Sequence, residues 1–432
     1  MTGDDDYLLG HGDSGYSVRH YDLSLTYTVH GNHLSAKATL RATALTPTDQ
    51  VTLDLRGLAV DKLSFDGARV HYTHRGGRIV IRPPAALSPG QDFTVTVTYS
   101  GNPLPVRGID GEAGWEELTD GVIVAAQPHG ASSWFPCNDR PSDKASYRIE
   151  LTTATAYHVS ANGNLAQRRR GASRTTWVFD QPEPMATYLA TVQVGRYQEQ
   201  VLATTPVPIL SVRPPALAAR VDDALARQAE MMAFFCRLFG PYPFGQYTVV
   251  VTEDELEIPI ESQGLSTFGA NHASTDWSSQ RLVAHELAHQ WFGNSLTLRN
   301  WRDIWLHEGF ASYSEWLWSE VAGNRTADQQ AAAHWTRLSK LPQDVILTNP
   351  GPCLMFDDRV YKRGALALHA LRLHLGDTAF FAVLRSWTDH NRHGTVTTGM
   401  FLSHVSDMAG RSAAALLDDW LFAAPLPALP RP

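Results

Sequence analysis

The sequence predicts an α+β protein with two domains, an antiparallel β-rich domain over residues 1–198 and a mainly helical domain over residues 199–432. A chain of 432 residues is longer than one hydrophobic core usually supports, so more than one domain is expected. In the first half apolar and polar residues alternate in short segments, whereas in the second half apolar residues recur with a helical period. The 43% hydrophobic and 19% charged residues are globular values and argue against disorder.

The first half, from about residue 16 to residue 197, contains segments that predict the strands of an antiparallel sandwich or saddle-shaped sheet. The segments with the clearest alternation are YDLSLTYTV (21–29), KATLRATAL (37–45), VTLDLRGLAV (51–60), RIVIRP (78–83) and DFTVTVTYS (92–100). Dipeptides such as GN, DG, GG and PG separate the segments and predict tight turns. No stretch in this half has a convincing helical period.

The pattern changes near residue 200, which marks the predicted domain boundary. Residues 214–240 have a helical period that begins after proline and ends at glycine. Residues 246–262 (QYTVVVTEDELEIPIES) predict a strand, an acidic turn and a second extended piece. Later helices are predicted at about 280–293, 303–321, 325–338 and 359–375, with shorter ones up to residue 421. The proline-rich tail APLPALPRP is expected to lie extended on the surface.

Charge and cysteine content exclude several classes of protein. The net charge of −8 predicts neither a nucleic acid nor a membrane as a partner. Cys137, Cys236 and Cys353 are odd in number and far apart, which predicts reduced thiols in a cytoplasmic protein rather than a disulfide framework. The acidic N-terminus has no apolar core of the kind found in a signal peptide, and no window of eighteen apolar residues predicts a transmembrane helix.

The densest group of metal-ligand residues lies in RLVAHELAHQWFGNSLTLRNWRDIWLHEGFASY, residues 281–313. His285 and His289 are four residues apart in a predicted helix, so both imidazoles can reach one metal ion from one face. Glu286 projects to the side, where it can touch a metal-bound water without being a ligand. Glu308, on the next helix, supplies a third ligand, and two histidines with one carboxylate leave an open position typical of a catalytic zinc.

An H-E-x-x-H pattern by itself also arises by chance, but here aromatic residues surround both halves of the motif. HELAHQWFGN followed by WRDIWLHEGFASY resembles the zinc signature of the M1 family of metallo-aminopeptidases, which belong to the gluzincin group. The resemblance extends over nearly the whole chain. It implies a thermolysin-like catalytic domain, one Zn²⁺ per chain, and His285, His289 and Glu308 as its ligands. The family often adds a C-terminal helical domain, and we expect this chain to be a short form without it, with a more open cleft or one that another subunit closes.

The segment IPIESQGLSTF (258–268) resembles the family's G-x-M-E-N strand, although residues 258–260 and Ser262 depart from it. By this resemblance Glu261 holds the free α-ammonium of the substrate, a role that suits a carboxylate because charge-assisted hydrogen bonds are strong. QPHGASSWFPCNDRP (127–141) resembles the segment that ends in F-P-C-x-D-x-P, which places Gln127 at a second position that contacts the amine. Without the resemblance, the neighbouring acids would favour a solvated acidic turn for Glu261, and the alternative for Gln127 is a polar residue of a hairpin.

The segment FDDRVYKRGALALHALR (356–372) resembles the family's Y-x-K-G-A element and places Tyr361 at the catalytic tyrosine, which donates a hydrogen bond to the developing oxyanion. Lys362 and Arg363, where the family has lysine at the second of the two, are expected on a solvated face at the start of a helix, with contact to a more distant part of the substrate as the alternative for either one. His307 points about 100° away from Glu308, so we assign it to packing or to support of the ligands. Asp303 is a candidate to orient a ligand histidine.

These residues together predict a zinc-dependent aminopeptidase that hydrolyses the first peptide bond of peptides with a free α-amine. Zinc and Glu286 activate the water, and Tyr361 stabilises the oxyanion. The alternatives are a zinc endopeptidase of the same class, against which Glu261 argues, and a catalytically silent peptide-binding module, against which the full set of ligands and base argues. The side-chain preference at the first substrate position and the oligomeric state are not predicted.

Overall fold

The computed structural model describes residues 6–109 and 111–429. The strands of the first half are β1 (Tyr16–Thr28), β2 (His33–Ala44), β3 (Val51–Asp54), β4 (Ala59–Phe65), β5 (Ala68–Arg69), β6 (Tyr72–Arg75), β7 (Arg78–Ile81), β8 (Asp92–Gly101), β9 (Val106–Gly108), β10 (Gly111–Leu118), β11 (Gly121–Ala125), β12 (Ala145–Ala154), β13 (His158–Ala161), β14 (Asn164–Arg170), β15 (Arg174–Met185) and β16 (Val192–Gly195). The helical turns described among these strands are the short 3₁₀ segments Ala131–Ser133 and Thr187–Leu189.

These strands form three sheets. The large sheet has the order β14-β15-β12-β1-β2-β8-β4-β5, a second has the order β13-β16-β11-β10-β9, and a small one has the order β3-β7-β6. Neighbouring strands in the large sheet pair antiparallel, except that β1 and β12 are parallel. Every second residue of β1, from Tyr21 to Tyr27, is buried, because alternate side chains of a strand point to opposite faces. The predicted β-rich first domain is confirmed.

The second half begins with a mixed sheet and continues with helices. Its strands are β17 (Gln198–Ala203), β18 (Ile209–Arg213), β19 (Tyr247–Val251), β20 (Ile260–Ser262), β21 (Leu265–Phe268), β22 (Thr297–Leu298) and β23 (Thr395–Val396). Its helices are α1 (Ala218–Ala224), α2 (Gln228–Phe239), α3 (Trp277–His289), α4 (Trp305–Val321), α5 (Ala327–Leu338), α6 (Asp358–Leu375), α7 (Asp377–His390), α8 (Thr398–Ala409), α9 (Arg411–Leu416) and α10 (Asp418–Leu421). The first predicted helix is therefore interrupted, since α1 and α2 are separate.

The mixed sheet has the order β17-β18-β19-β21-β20, with β20 as an antiparallel strand at its edge. The first strand of this sheet begins at Gln198, although the predicted domain boundary at residue 198 stays a prediction. None of the helices in residues 6–109 and 111–429 combines the length and the apolar composition that a membrane span requires.

Two glycines let α4 and α6 approach closely. A Cβ on Gly309 would lie 2.8 Å from the Cα of Gly364, and a Cβ on Gly364 would lie 2.7 Å from the Cα of Gly309. Any larger residue would push the helices apart, because real Cβ atoms do not come that close. The contact brings the neighbours of these glycines, Glu308 on α4 and Tyr361 on α6, to the same part of the structure.

Lys144 links the two halves directly. It lies just before β12, and its ammonium donates to the backbone oxygens of Asn294, Ser295 and Gly394 at 3.0, 2.8 and 3.3 Å. Asn294 and Ser295 follow α3, so this contact ties the β-rich half to the end of the helix that carries both histidines.

The expectation of a solvated face for Lys362 and Arg363 is wrong, since both side chains are buried. Arg363 donates to backbone oxygens of the C-terminal segment, including those of Trp420 at 2.8 Å and Ala424 at 2.7 Å. A planar guanidinium offers five N–H donors in a fixed geometry, which suits this cluster of carbonyl groups. The part of the proline-rich tail over residues 424–427 is therefore fixed to the start of α6 and to α5, where Trp335 donates to Pro427 O at 2.8 Å.

Candidate metal centre

Helix α3 places His285 and His289 one above the other on a buried face. Their ring centroids are 4.7 Å apart and their planes are steeply inclined. Glu308, on the first turn of α4, directs Oε2 between the two rings, 3.3 Å from His285 Nε2 and 3.5 Å from His289 Nε2. One ligand atom from each of the three residues lies within 4.8 Å of the others. The three predicted ligands therefore converge on one point.

The other ring nitrogen of each histidine has its own partner. His285 Nδ1 lies 2.8 Å from Glu315 Oε1, whereas His289 Nδ1 lies 3.0 Å from the backbone oxygen of Phe292. These contacts fix the rings so that both Nε2 atoms face Glu308, which is how ligand histidines are usually oriented.

Glu315 was not among the predicted site residues. It lies seven residues after Glu308, two helical turns along the same face of α4, and this spacing is the sequence signal that could have identified it. Asp303 does not take this role, because the Nδ1 atoms of both histidines are occupied by Glu315 and Phe292. Asp303 accepts instead from the hydroxyl of Thr398 at 2.5 Å.

His307 lies next to Glu308 in sequence but faces away from the ligand cluster. Its Nε2 accepts from the backbone N–H of Leu298 at 2.8 Å, and burial lowers its pKa to about 3. A buried neutral imidazole in this position supports the chain between α3 and α4, in agreement with the packing role predicted for it.

Glu286 on α3 and Glu261 on β20 lie close to His289, the histidine shared with the predicted ligand cluster. One carboxylate oxygen from each lies within 4.8 Å of the other and of a nitrogen of His289. Because His289 Nδ1 is used by Phe292, a single Nε2 lone pair remains, and it can serve one ion. His285, His289 and Glu308 stay the predicted ligand set, and the carboxylates of Glu261 and Glu286 lie beside it.

The strand that carries Glu261 is held against α3. Gln290, just after α3, accepts from Gly264 N at 2.8 Å and donates to Ser262 O at 3.1 Å, while Asn294 donates to Ser262 O at 2.9 Å. Ser262 and Gly264 flank the turn between β20 and β21. The position of Glu261 relative to the histidines is therefore fixed by hydrogen bonds from the end of the same helix.

The remaining two predicted site residues are Tyr361, which contacts the predicted metal ligand His285, and Gln127, for which the structure shows a buried amide. The Tyr361 ring lies nearly parallel to that of His285, with centroids 6.1 Å apart. Burial, followed by the charges of Glu308 and Glu261, raises the pKa of Tyr361 well above its usual value, so the phenol keeps its proton. Gln127 follows β11 and its Nε2 is buried without a hydrogen-bond partner among the described residues. Its contact with substrate stays a prediction.

Comparison with known proteins agrees with this geometry. The model of the peptidase M1 N-terminal domain matches residues 17–189, and the model of the peptidase family M1 domain matches residues 224–420. The chain belongs to peptidase family M1.

Curated relatives of this M1 chain include archaeal and human aminopeptidases. It is 24% identical over 407 residues to Probable aminopeptidase 2 of Sulfurisphaera tokodaii, a match that covers 87% of this chain and 50% of the relative. It is 27% identical over 401 residues to endoplasmic reticulum aminopeptidase 1 of Homo sapiens, covering 84% and 42%. The chain thus spans about half the length of the curated relatives it matches.

A solved M1 zinc metallopeptidase from Deinococcus radiodurans is similar over its whole length. The TM-score is 0.91 at 33% identity, and the match covers 99% of both chains. Mutants of M1 zinc metallopeptidases with the same TM-score, two of them described as two-domain enzymes, have been solved with L-arginine, L-tryptophan or a Tyr-Ser-Ala substrate bound.

The residues of this M1 chain fit the zinc ion of the family. Two imidazole nitrogens and one carboxylate oxygen are the donors typical of a catalytic zinc. Burial alone would lower the pKa of His289, but the charges of Glu308 and Glu261 outweigh it and raise the pKa to about 10. Burial, with Glu261 nearby, also raises the pKa of Glu286 to about 8. The site therefore has a strong demand for positive charge, which a divalent cation meets.

Proposed function

We propose that this chain is a zinc aminopeptidase that hydrolyses the N-terminal peptide bond of peptides with a free α-amine. Family membership and the three converging ligands support the peptidase class. The observation that carries the exopeptidase assignment is the position of Glu261, whose carboxylate lies within 4.8 Å of Glu286 and His289. A substrate ammonium held there stands about one residue from the metal, so that only the first peptide bond can reach it.

The charge state of Glu261 supports the same assignment. Burial and the nearby Glu308 raise the pKa of Glu261, because His289 and His285 only partly offset them. An arriving ammonium would supply the missing positive charge in a water-poor site, where such hydrogen bonds are strong. An endopeptidase would have no use for a buried carboxylate at this position.

Zinc, when bound, supplies a Lewis acid and a water whose pKa is near neutrality. Glu286 accepts the proton of the attacking water at Oε2, which is buried and has no hydrogen-bond partner among the described residues. Burial disfavours the charged carboxylate, so Glu286 can hold that proton and later give it to the leaving amine. Tyr361, still protonated, donates a hydrogen bond to the oxygen on which negative charge develops.

The substrate class we propose is short peptides. A structural neighbour was solved with a Tyr-Ser-Ala substrate, and others with L-arginine or L-tryptophan. Aromatic and basic first residues are therefore the first candidates for this chain. We also propose a reducing, cytoplasmic environment, in keeping with the free thiols of Cys137, Cys236 and Cys353. Fractionation of cells that express the chain at its native level would check this location.

The decisive experiment compares free and blocked substrates on the zinc-loaded protein. Tyrosyl, arginyl and tryptophanyl anilides should be hydrolysed, and their N-acetyl forms should be slower by a factor on the order of 10⁴, because the buried Glu261 charge would be left unpaired. Zinc-depleted protein is the control for metal dependence. Equal rates on free and acetylated substrates would contradict the aminopeptidase assignment, and no hydrolysis of any peptide would contradict peptidase activity altogether.

A further inference from the structure

Lys362 lies buried between α6 and α4, close to the metal centre but outside its ligand set. Its ammonium donates to Ser312 Oγ at 3.2 Å and to Glu315 Oε1 at 3.5 Å. Ser312 and Glu315 are three residues apart on α4, so the ammonium bridges one turn of that helix. A lysine without a buried partner would extend to solvent, and this one does not.

Glu315 connects this ammonium to a zinc ligand. The same oxygen, Oε1, lies 2.8 Å from His285 Nδ1, while Oε2 lies 3.5 Å from Arg281 NH1. Only 9% of the Lys362 side chain is exposed, against 39% for Arg281. Solvent screens the exposed pair, so Lys362 is the stronger of the two positive charges that act on Glu315.

The carboxylate needs such a charge in order to orient the histidine. Only 5% of the Glu315 side chain is exposed, and its Oε1 lies 2.8 Å from His285 Nδ1 and 3.5 Å from the Lys362 ammonium, so both groups act on the same buried oxygen. An ionised Glu315 accepts from His285 Nδ1–H and so holds the ring in the tautomer that offers Nε2 to a metal. Without a buried partner, the same carboxylate would be costly to keep ionised.

The start of α6 directs three successive side chains to three different places, as the 100° rotation per residue requires. Tyr361 lies beside His285, Lys362 reaches Glu315, and Arg363 holds the C-terminal segment. One helical turn thus combines the oxyanion donor with the counter-charge of a ligand's support. A substitution of Lys362 therefore removes the contact with Glu315 and leaves the contacts of Tyr361 and Arg363 in place.

We propose that Lys362 is a positioning residue for the metal centre: it holds the Glu315 carboxylate against His285 and thereby sets the zinc affinity of the site. This inference rests on the zinc site of the proposed function but is independent of the substrate. Partners of ligand histidines typically change metal affinity by about 10- to 100-fold when they are removed. Glu315→Gln should fall in this range, and Lys362→Met, which acts through Glu315, should weaken zinc binding by about tenfold, at the lower end of it.

The test is a zinc dissociation constant, measured on the full chain by competition with a chromogenic chelator. Lys362→Arg, which keeps the charge, should restore most of the affinity that Lys362→Met loses. In a Glu315→Gln background, Lys362→Met should cause no further loss, because the residue through which it acts is gone. The visible spectrum of the Co²⁺-substituted protein should shift in Lys362→Met as it does in Glu315→Gln.

Arg372→Met is the matched control, since it removes a cation from the same helix that pairs with Asp377 and not with Glu315. It should leave the zinc dissociation constant unchanged. Equal zinc affinity in Lys362→Met and the parent, an equal loss in Arg372→Met, or an undiminished loss in the Glu315→Gln background would overturn the inference. If Lys362→Met does not fold, Lys362→Gln serves in the same comparisons. A chain that shows the predicted affinities but hydrolyses no peptide would refute the proposed function alone.

Discussion

The molecule buries two groups of carboxylates, one in each half, and it surrounds them differently. In the β-rich half, the oxygens of Asp143 accept from Ser17 Oγ at 2.6 Å, from Asn138 Nδ2 at 2.6 Å and from Val18 N at 3.1 Å. Asp54 Oδ2 accepts from Gly12 N at 2.7 Å. The partners of these carboxylates are mostly neutral donors of the chain itself. Burial nevertheless raises the pKa of both Asp54 and Asp143 to about 6.

The four buried carboxylates at the metal centre form two pairs whose pKa values are shifted in opposite directions. Glu308 and Glu315 face His285, His289 and Lys362, which lower the pKa of both carboxylates against the opposing effect of burial. For Glu261 and Glu286 the effect of burial prevails and raises the pKa. Two of the four carboxylates therefore have their cations within the protein, and two face the open side of the site.

This contrast separates carboxylates that hold the fold from those that act on substrate. Hydrogen bonds from the chain itself stabilise a buried acid and tie distant segments together, as Asp143 does for the start of β1 and the loop before β12. A buried acid that faces an open position has its charge left for an external cation or proton. The substitutions below test this distinction.

The largest effect is expected from Glu286→Gln. The amide cannot accept the proton of the attacking water, so turnover should fall by about 10²- to 10⁴-fold. Zinc content, measured by atomic emission, should stay near one ion per chain because Glu286 is not a ligand. If this variant kept the turnover of the parent, Glu286 would not act on substrate, and the distinction between carboxylates that hold the fold and carboxylates that act on substrate would be wrong.

Tyr361→Phe should have the next largest effect. Loss of one oxyanion donor typically reduces turnover by about 10²- to 10³-fold. The ring remains beside His285, so zinc affinity and thermal stability should be close to those of the parent. Steady-state kinetics on a tyrosyl anilide, with zinc titration as control, checks this; a change confined to KM would assign Tyr361 to binding instead.

Glu261→Gln should act on binding more than on turnover. A hydrogen bond to a charged partner contributes about 1.5–3 kcal/mol, so kcat/KM for free-amine substrates should fall by roughly 10- to 100-fold. Discrimination against N-acetyl substrates should shrink by at least the same factor, because no buried charge is then left unpaired. Glu257→Gln, at an exposed acid of the preceding loop, is the control and should change neither quantity. A fall in turnover with unchanged KM would mean that Glu261 does not hold the amine.

Periodicity and spacing were sufficient for most helices and for the prediction that His285, His289 and Glu308 lie together, although their role as metal ligands stays a prediction. His285 and His289 are local to one helix, and Glu308 follows at a fixed distance, so short-range geometry determines the cluster. The interruption between α1 and α2 was missed because residues 225–227 contain neither proline nor glycine. Propensity alone does not locate such a break, which depends on the tertiary packing of each helix.

Charged side chains near the site were the least predictable. Lys362 and Arg363 are typical of an exposed helix start in sequence, but their environment is set by Glu315 and by the tail, which lie 47 or more residues away in the chain. Glu315 was more accessible to prediction, since it lies seven residues after Glu308 on the same face of α4, whereas Glu320 on the last turn is rotated by about 120° from Glu308. Long-range contacts decide which charged side chains are buried, and the local sequence around Lys362 and Arg363 does not contain that information.

Asp54→Asn is the counterpart in the β-rich half and should have the smallest effect on function. The raised pKa of Asp54, due to burial and then to Asp139, means that the folded state favours the protonated acid. Its contribution to stability is therefore complete below its ordinary pKa of about 3.8 and is lost as the pH rises through about 6. The free energy of unfolding of the parent should fall by up to about 3 kcal/mol over this pH range, and the asparagine variant should show no such fall.

The measurement is the free energy of unfolding of the variant minus that of the parent, from urea titrations at fixed zinc concentration. This difference should increase between pH 4 and pH 7 and then level off. Asp61→Asn, at an exposed acid of the same half, should show no such trend, and kcat/KM should be unchanged in both. If this difference does not vary between pH 4 and pH 7, Asp54 is ionised in the folded protein over that range. The pKa of Asp54 would then not be raised, and charge would not explain the difference between the two groups of carboxylates.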